Sequence, residues 1–129
     1  MPNFNIMKLL YLTIFIFILN CGYSQAKFKF DHRTHRFPKT KEGVQLEHEY
    51  KFTNKGNRPL LIDSVSAECS CTSVVYPEKP VLPGESGIIH VTFDTNKKYS
   101  WQDRIIEIHS NVLKSPTNIR FKVMVDNKK

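Results

Sequence analysis

Catalytic signatures are missing from this sequence of 129 residues. It holds no Gly-x-Ser-x-Gly elbow, no phosphate-binding glycine loop, no dinucleotide fingerprint and no His-Glu-x-x-His pair. Its acidic residues are scattered, so no two stand out for acid–base work. These absences, with the small size, argue against an enzyme, and no cofactor is expected. Its longest apolar run stops well short of the roughly 20 residues that carry a helix across a bilayer. Helical periodicity is nearly absent, and no repeat, low-complexity tract or second domain is marked. Cysteine occurs only at Cys21, Cys69 and Cys71, so the fold must rest on one hydrophobic core, not on a disulfide lattice.

What is present begins near the N-terminus. Lys8 precedes an unbroken apolar run over residues 9–19, eleven residues in the range of a secretory leader. Ser24 and Ala26 supply small residues two apart, which places a cleavage site after Ala26. A leader of 1–26 and a single domain of 27–129 are therefore expected. The alternatives are a buried core helix or an uncleaved anchor. Leu19-Asn20-Cys21-Gly22 also resembles a lipoprotein processing site, which would lipidate Cys21. Location is expected to be the periplasm or the cell surface.

The mature chain would carry 18 basic and 12 acidic side chains, a net charge of +6. The densest cations, Lys27, Lys29, Arg33, Arg36, Lys39 and Lys41, fall where a strand would face solvent. They read as a solvated surface, and with export they argue against a nucleic-acid partner. A membrane partner is expected only with a lipidated Cys21 or an uncleaved leader.

Period-two alternation runs through the mature chain. Val44, Leu46, His48, Tyr50 and Phe52 alternate with polar residues, as in a strand with one buried face. Asn54-Lys55-Gly56-Asn57 ends that strand with turn residues, and Pro59 opens the next, which runs to about Ala67. A short strand at Val74, Val75 and Tyr76 stops at Pro77, and Leu82-Pro83-Gly84-Glu85 fits a type II turn. Strands over residues 88–93, 104–109 and 119–125 follow, with a polar loop over 94–100 and an edge strand within 28–37. About seven strands with frequent turn signals predict an all-β, immunoglobulin-like β-sandwich.

The motif order carries a resemblance. Phe52-Thr53-Asn54-Lys55-Gly56-Asn57-Arg58-Pro59-Leu60 is followed by Cys69-Ser70-Cys71-Thr72 and Pro80-Val81-Leu82-Pro83-Gly84-Glu85. Val91-Thr92-Phe93-Asp94-Thr95 and Ile108-His109-Ser110-Asn111 come next. From about Gly43 to Val125 this series resembles the exported Bacteroidetes-type family called domain of unknown function 1573. The resemblance implies an immunoglobulin-like sandwich akin to sperm-protein and pilus-chaperone modules, and no agreed activity. The chain departs at Ser70, where the family usually has glycine, and at Tyr99-Ser100-Trp101, where the family tends to place a glycine.

Only Cys69 and Cys71 form a constellation with chemistry of its own. Export permits a disulfide between them. Residues two apart in a straight strand lie roughly 6.6 Å apart, beyond the usual disulfide spacing, so a bend between Glu68 and Thr72 would be needed. The pair also reads as two buried thiols, or as thiolate ligands of copper or zinc if His48, His90 or His109 folds nearby. His48 sits in the apolar register of its strand and reads as an inward histidine. Tyr99 and Trp101, in the polar loop, are candidate partner contacts, since such aromatics anchor interfaces. The function expected is a non-catalytic binding module of the cell envelope with an unidentified envelope partner. A soft-metal protein using Cys69 and Cys71 is the alternative.

Overall fold

The computed structural model describes residues 3–18, 22 and 24–127. Cys21, the candidate lipidation site, lies outside the described residues. Helix α1 (Phe4–Ile18) has exposed side chains from Phe4 to Ile16. Among the described residues, no helix is long and apolar enough to cross a membrane.

Nine strands follow among the described residues: β1 (Phe28–Phe30), β2 (Thr34–Arg36), β3 (Thr40–Lys41), β4 (Gln45–Asn54), β5 (Ile62–Ala67), β6 (Thr72–Val75), β7 (Ser86–Asp94), β8 (Ser100–Ser110) and β9 (Thr117–Asp126). One sheet has the order β1-β4-β7-β6, and the other β2-β9-β8-β5 with β3 also on β9. The alternation explains why two layers form. Tyr50, Phe52, Ile89, Val91 and Phe93 point inward from the first sheet. Ile106, Ile108, Ile119, Phe121 and Val123 meet them from the second, all essentially free of solvent. Burying each such side chain contributes about 1.5–3 kcal/mol.

Two differences from the sequence-based expectation have local causes. The single edge strand expected within residues 28–37 is split between the layers. Phe28 and Phe30 pair antiparallel with β4, whereas Thr34, His35 and Arg36 pair parallel with β9. A bend at residues 31–33 makes the switch, so that Phe28 and Phe37 are both buried.

The strand expected over 104–109 begins earlier, at Ser100. Trp101 therefore lies in a strand opposite Met124 and not in a loop. Its outward register let polar neighbours mimic a loop. Ser100 enters the strand at φ 65°, a left-handed conformation that glycine adopts without steric cost. Ser100→Gly should therefore stabilise the domain by about 1 kcal/mol. A denaturation midpoint that stays put or falls would contradict this. In the expected turn at residues 82–85, Gly84 has φ 83° and the Glu85 N–H donates to the Leu82 carbonyl at 3.0 Å.

Candidate interaction surfaces at the two ends of the sandwich

At one end the chain enters the domain over a buried amide. Asn54 continues the inward register of Tyr50 and Phe52 and is fully buried. Its Oδ1 accepts from the N–H groups of Gly56 at 2.9 Å and Lys27 at 3.3 Å. Its Nδ2 donates to the carbonyls of Arg58 at 2.7 Å and Val81 at 2.9 Å. One side chain thus satisfies four backbone groups from three segments, as a buried polar group must.

Residues 24–27 dock on this loop. The Gln25 N–H donates to Asn57 Oδ1 at 2.7 Å, and the Asn57 N–H returns a bond to the Gln25 carbonyl at 3.0 Å. Arg58 Nε donates to Ser24 Oγ at 3.0 Å. Ala26 is only 3% exposed and belongs to the core, although the expected cut would remove it. Gly56 makes the docking feasible, because a Cβ there would strike the Gln25 carbonyl and come within 2.8 Å of Ala26 Cα. Gly56→Ala in the full chain should dislodge the segment and speed tryptic cleavage after Lys27 roughly tenfold, the equivalent of one or two hydrogen bonds. Cleavage at the unaltered rate would contradict the docking.

Beside this segment lies an open groove of about 560 Å³. Residues 25–27, Arg33 and the β8–β9 turn form its walls, with Lys27, Arg33 and Lys114 among them and no acidic residue. Sequence reading missed it because the groove joins three distant segments. It also treated Asn54 as a turn residue, although its place in the inward register was a visible signal.

At the other end, residues 68–71 bend and bring the Cys69 and Cys71 Cα atoms to 5.2 Å, with the two sulfurs bonded. The bend is held by the Thr72 N–H on the Cys69 carbonyl at 3.2 Å and the Asp94 N–H on the Cys71 carbonyl at 2.9 Å. Both cysteines are half-buried against the core. Arg104 approaches from β8, its guanidinium 3.8 Å from Glu68. Among the described residues, no three His, Cys, Asp or Glu side chains converge as a metal site. His90 lies on the outer face between Glu47 at 3.8 Å and Glu49 at 3.7 Å, and His109 lies 3.9 Å from Glu107. The structure brings neither to the cysteines. Tyr99 and Trp101 are 66% and 56% exposed, and the Arg36 guanidinium sits 5.7 Å from the indole centroid.

His48 is inward, and its neighbour is another imidazole. It stacks on His35 of the opposite sheet, with centroids 3.6 Å apart, and meets Tyr50 edge-on. Phe37 packs on His35. Burial lowers the pKa of both histidines below 6.5. For His48, the charges of His35 and His32 add to that lowering, and Glu49 opposes it. The folded state therefore binds fewer protons than the unfolded state. Stability is full above pH 6.5 and falls as pH drops through the lower folded-state values. Thermal melts should show this fall, and His48→Phe should flatten it. A melting temperature flat from neutral to mildly acidic pH would sink the idea.

The two sheets, with an N-terminal segment that switches layers, define an all-β, immunoglobulin-like sandwich. Residues 28–125 match the family described as "Protein of unknown function (DUF1573)", and the chain belongs to that family. It is similar to a solved protein of unknown function from Porphyromonas gingivalis, at 17% identity and a TM-score of 0.69. That match covers 82% of this chain and 50% of the other, so the chain spans half that protein's length. The PapD-like domain 7 of human CEP192 matches at 10% identity and a TM-score of 0.67, over 84% of this chain and 91% of that one. The YadV chaperone matches at 14% identity and a TM-score of 0.56, over 79% and 53%. At these identities the likeness concerns the fold. No curated protein matches the sequence.

Proposed function

We propose that this chain is an exported, non-catalytic binding module held at the cell envelope. The observation that carries the reading is a PapD-like sandwich whose interior is filled by side chains, while an open groove and sheet edges stay accessible at its surface. Sheet edges such as β5 and β6 offer unpaired backbone groups to an extended partner. A leader that ends ahead of Ser24 fits the docked segment better than a cut after Ala26, because the cut would strip the core residue Ala26 and the paired hydrogen bonds between Gln25 and Asn57. While closed, the Cys69–Cys71 bridge offers no thiolate to copper or zinc.

Cross-linking in intact cells, followed by recovery of the chain from the envelope fraction, tests the function. A stable envelope partner is expected, and turnover of a substrate by the purified chain would overturn it. Intact mass with and without reductant tests the processing and the bridge. The expected result is a first residue at or before Ser24 and a gain of two hydrogens on reduction. A chain starting at Lys27 would contradict the placement of the leader.

A further inference from the structure

We infer that the cationic groove at the entry end docks against an anionic bilayer surface. The inference rests on the envelope reading above and adds the orientation of the domain and the chemistry it meets. Three observations converge. The first is charge: Lys27, Arg33 and Lys114 line the groove, none makes a salt bridge to a described residue, and no lining residue is acidic. The net charge of the whole chain, +7, reinforces the local sign.

The second observation is apolar. Leu113, on the groove wall between Val112 and Lys114, is 81% exposed, more than any other large hydrophobic side chain described. An apolar tip flanked by cations suits the boundary between headgroups and acyl chains, where leucine enters and lysine meets phosphate.

The third is the tether. Residues 25–27 are themselves part of the groove wall, so the chain leaving apolar α1 enters the domain here. Only residues 19–23 join Ile18 to Ser24. The six steps from Ile18 to Ser24 reach no further than about 22 Å when extended. With α1 held at the bilayer where the leader is retained, or a lipid on the intervening stretch where it is removed, the groove is the part of the sandwich kept nearest the headgroups. The cations then lie within about one or two Debye lengths of the surface, where each gains from anionic lipid.

Hydrogen–deuterium exchange on the full chain in vesicles separates the possibilities. The chain is placed in phosphatidylcholine vesicles and in mixed phosphatidylglycerol–phosphatidylcholine vesicles. Only the headgroup charge differs between the two, so a difference in exchange at residues 112–114 reports on an electrostatic contact of the domain. Amides of residues 112–114 should exchange at least about tenfold more slowly on the anionic vesicles. High salt and the Lys27→Glu/Arg33→Glu/Lys114→Glu variant should each abolish the difference. Leu113→Ser, which leaves the charges alone, should weaken it, and melting curves confirm that the variants fold. Equal exchange on the two vesicles overturns the inference. So does equal protection by soluble polyglutamate without vesicles, which would assign the groove to an acidic protein. Cell fractionation tests the envelope reading separately, since a cytoplasmic chain would end that reading whatever the vesicles show.

Discussion

Replacing Asn54 with alanine should cost about 3 kcal/mol or more, because the Lys27 and Gly56 N–H groups and the Arg58 carbonyl lose this partner, while the Val81 carbonyl keeps only the Leu60 N–H. That is a large share of the roughly 5–15 kcal/mol that holds a domain together. The loss should exceed what the missing volume alone explains. Asn54→Asp separates the two effects, since it keeps the shape and the Oδ1 acceptor. It replaces the Nδ2 donor with an oxygen facing the carbonyls of Arg58 and Val81. Both variants should therefore unfold at much lower denaturant. An Asn54→Asp domain as stable as the parent would mean that the amide is not the organiser of this end. The segment 24–27 should also loosen in Asn54→Ala, because the Lys27 N–H hangs on the Oδ1 that only Asn54→Asp retains.

Phe121→Ala is the second large effect. The ring is fully buried in the middle of β9, 4.9 Å from Phe93 of the opposite sheet and 5.9 Å from Phe37 by centroids. Truncation removes the transfer free energy and leaves a cavity between two sheets that hydrogen bonds hold in register. The expected cost is about 3–5 kcal/mol by urea unfolding. Phe121→Leu, which fills most of the space, should cost much less. Near-equal losses for the two would show that the sheets close over the gap and that the cavity has no lasting cost. Phe121 also lies opposite His35 in the β2–β9 register, so the alanine variant should loosen the imidazole stack, admit water to it and flatten the acid loss described above.

Much of the sandwich was legible because alternation is local. Each inward residue of β4, β7 and β9 declares itself by its two neighbours, whatever the partner strand. The turn at Gly84 was equally readable, since a positive φ beside proline needs glycine. Residues 28–37 were harder. Two strands of three residues each do not announce that the chain leaves one sheet for the other. Trp101 read as a loop residue because its strand was recognised only from Arg104 onward, and pairing with Met124 is a property of β9. Of the sites, the cysteine pair was visible by spacing. The groove and the His35–His48 stack were not, since each joins residues from different sheets or distant turns.

By itself the sequence determined the two-faced strands, the single core they must share and the family. Tertiary structure alone decided which polar residues lie inside, which cations share one groove, and that residues 24–27 belong to the domain. The physical reason is range. Side-chain alternation and turn conformation depend on neighbours along the chain. The partner of a buried amide, and the company a charge keeps, depend on which strands the fold sets side by side.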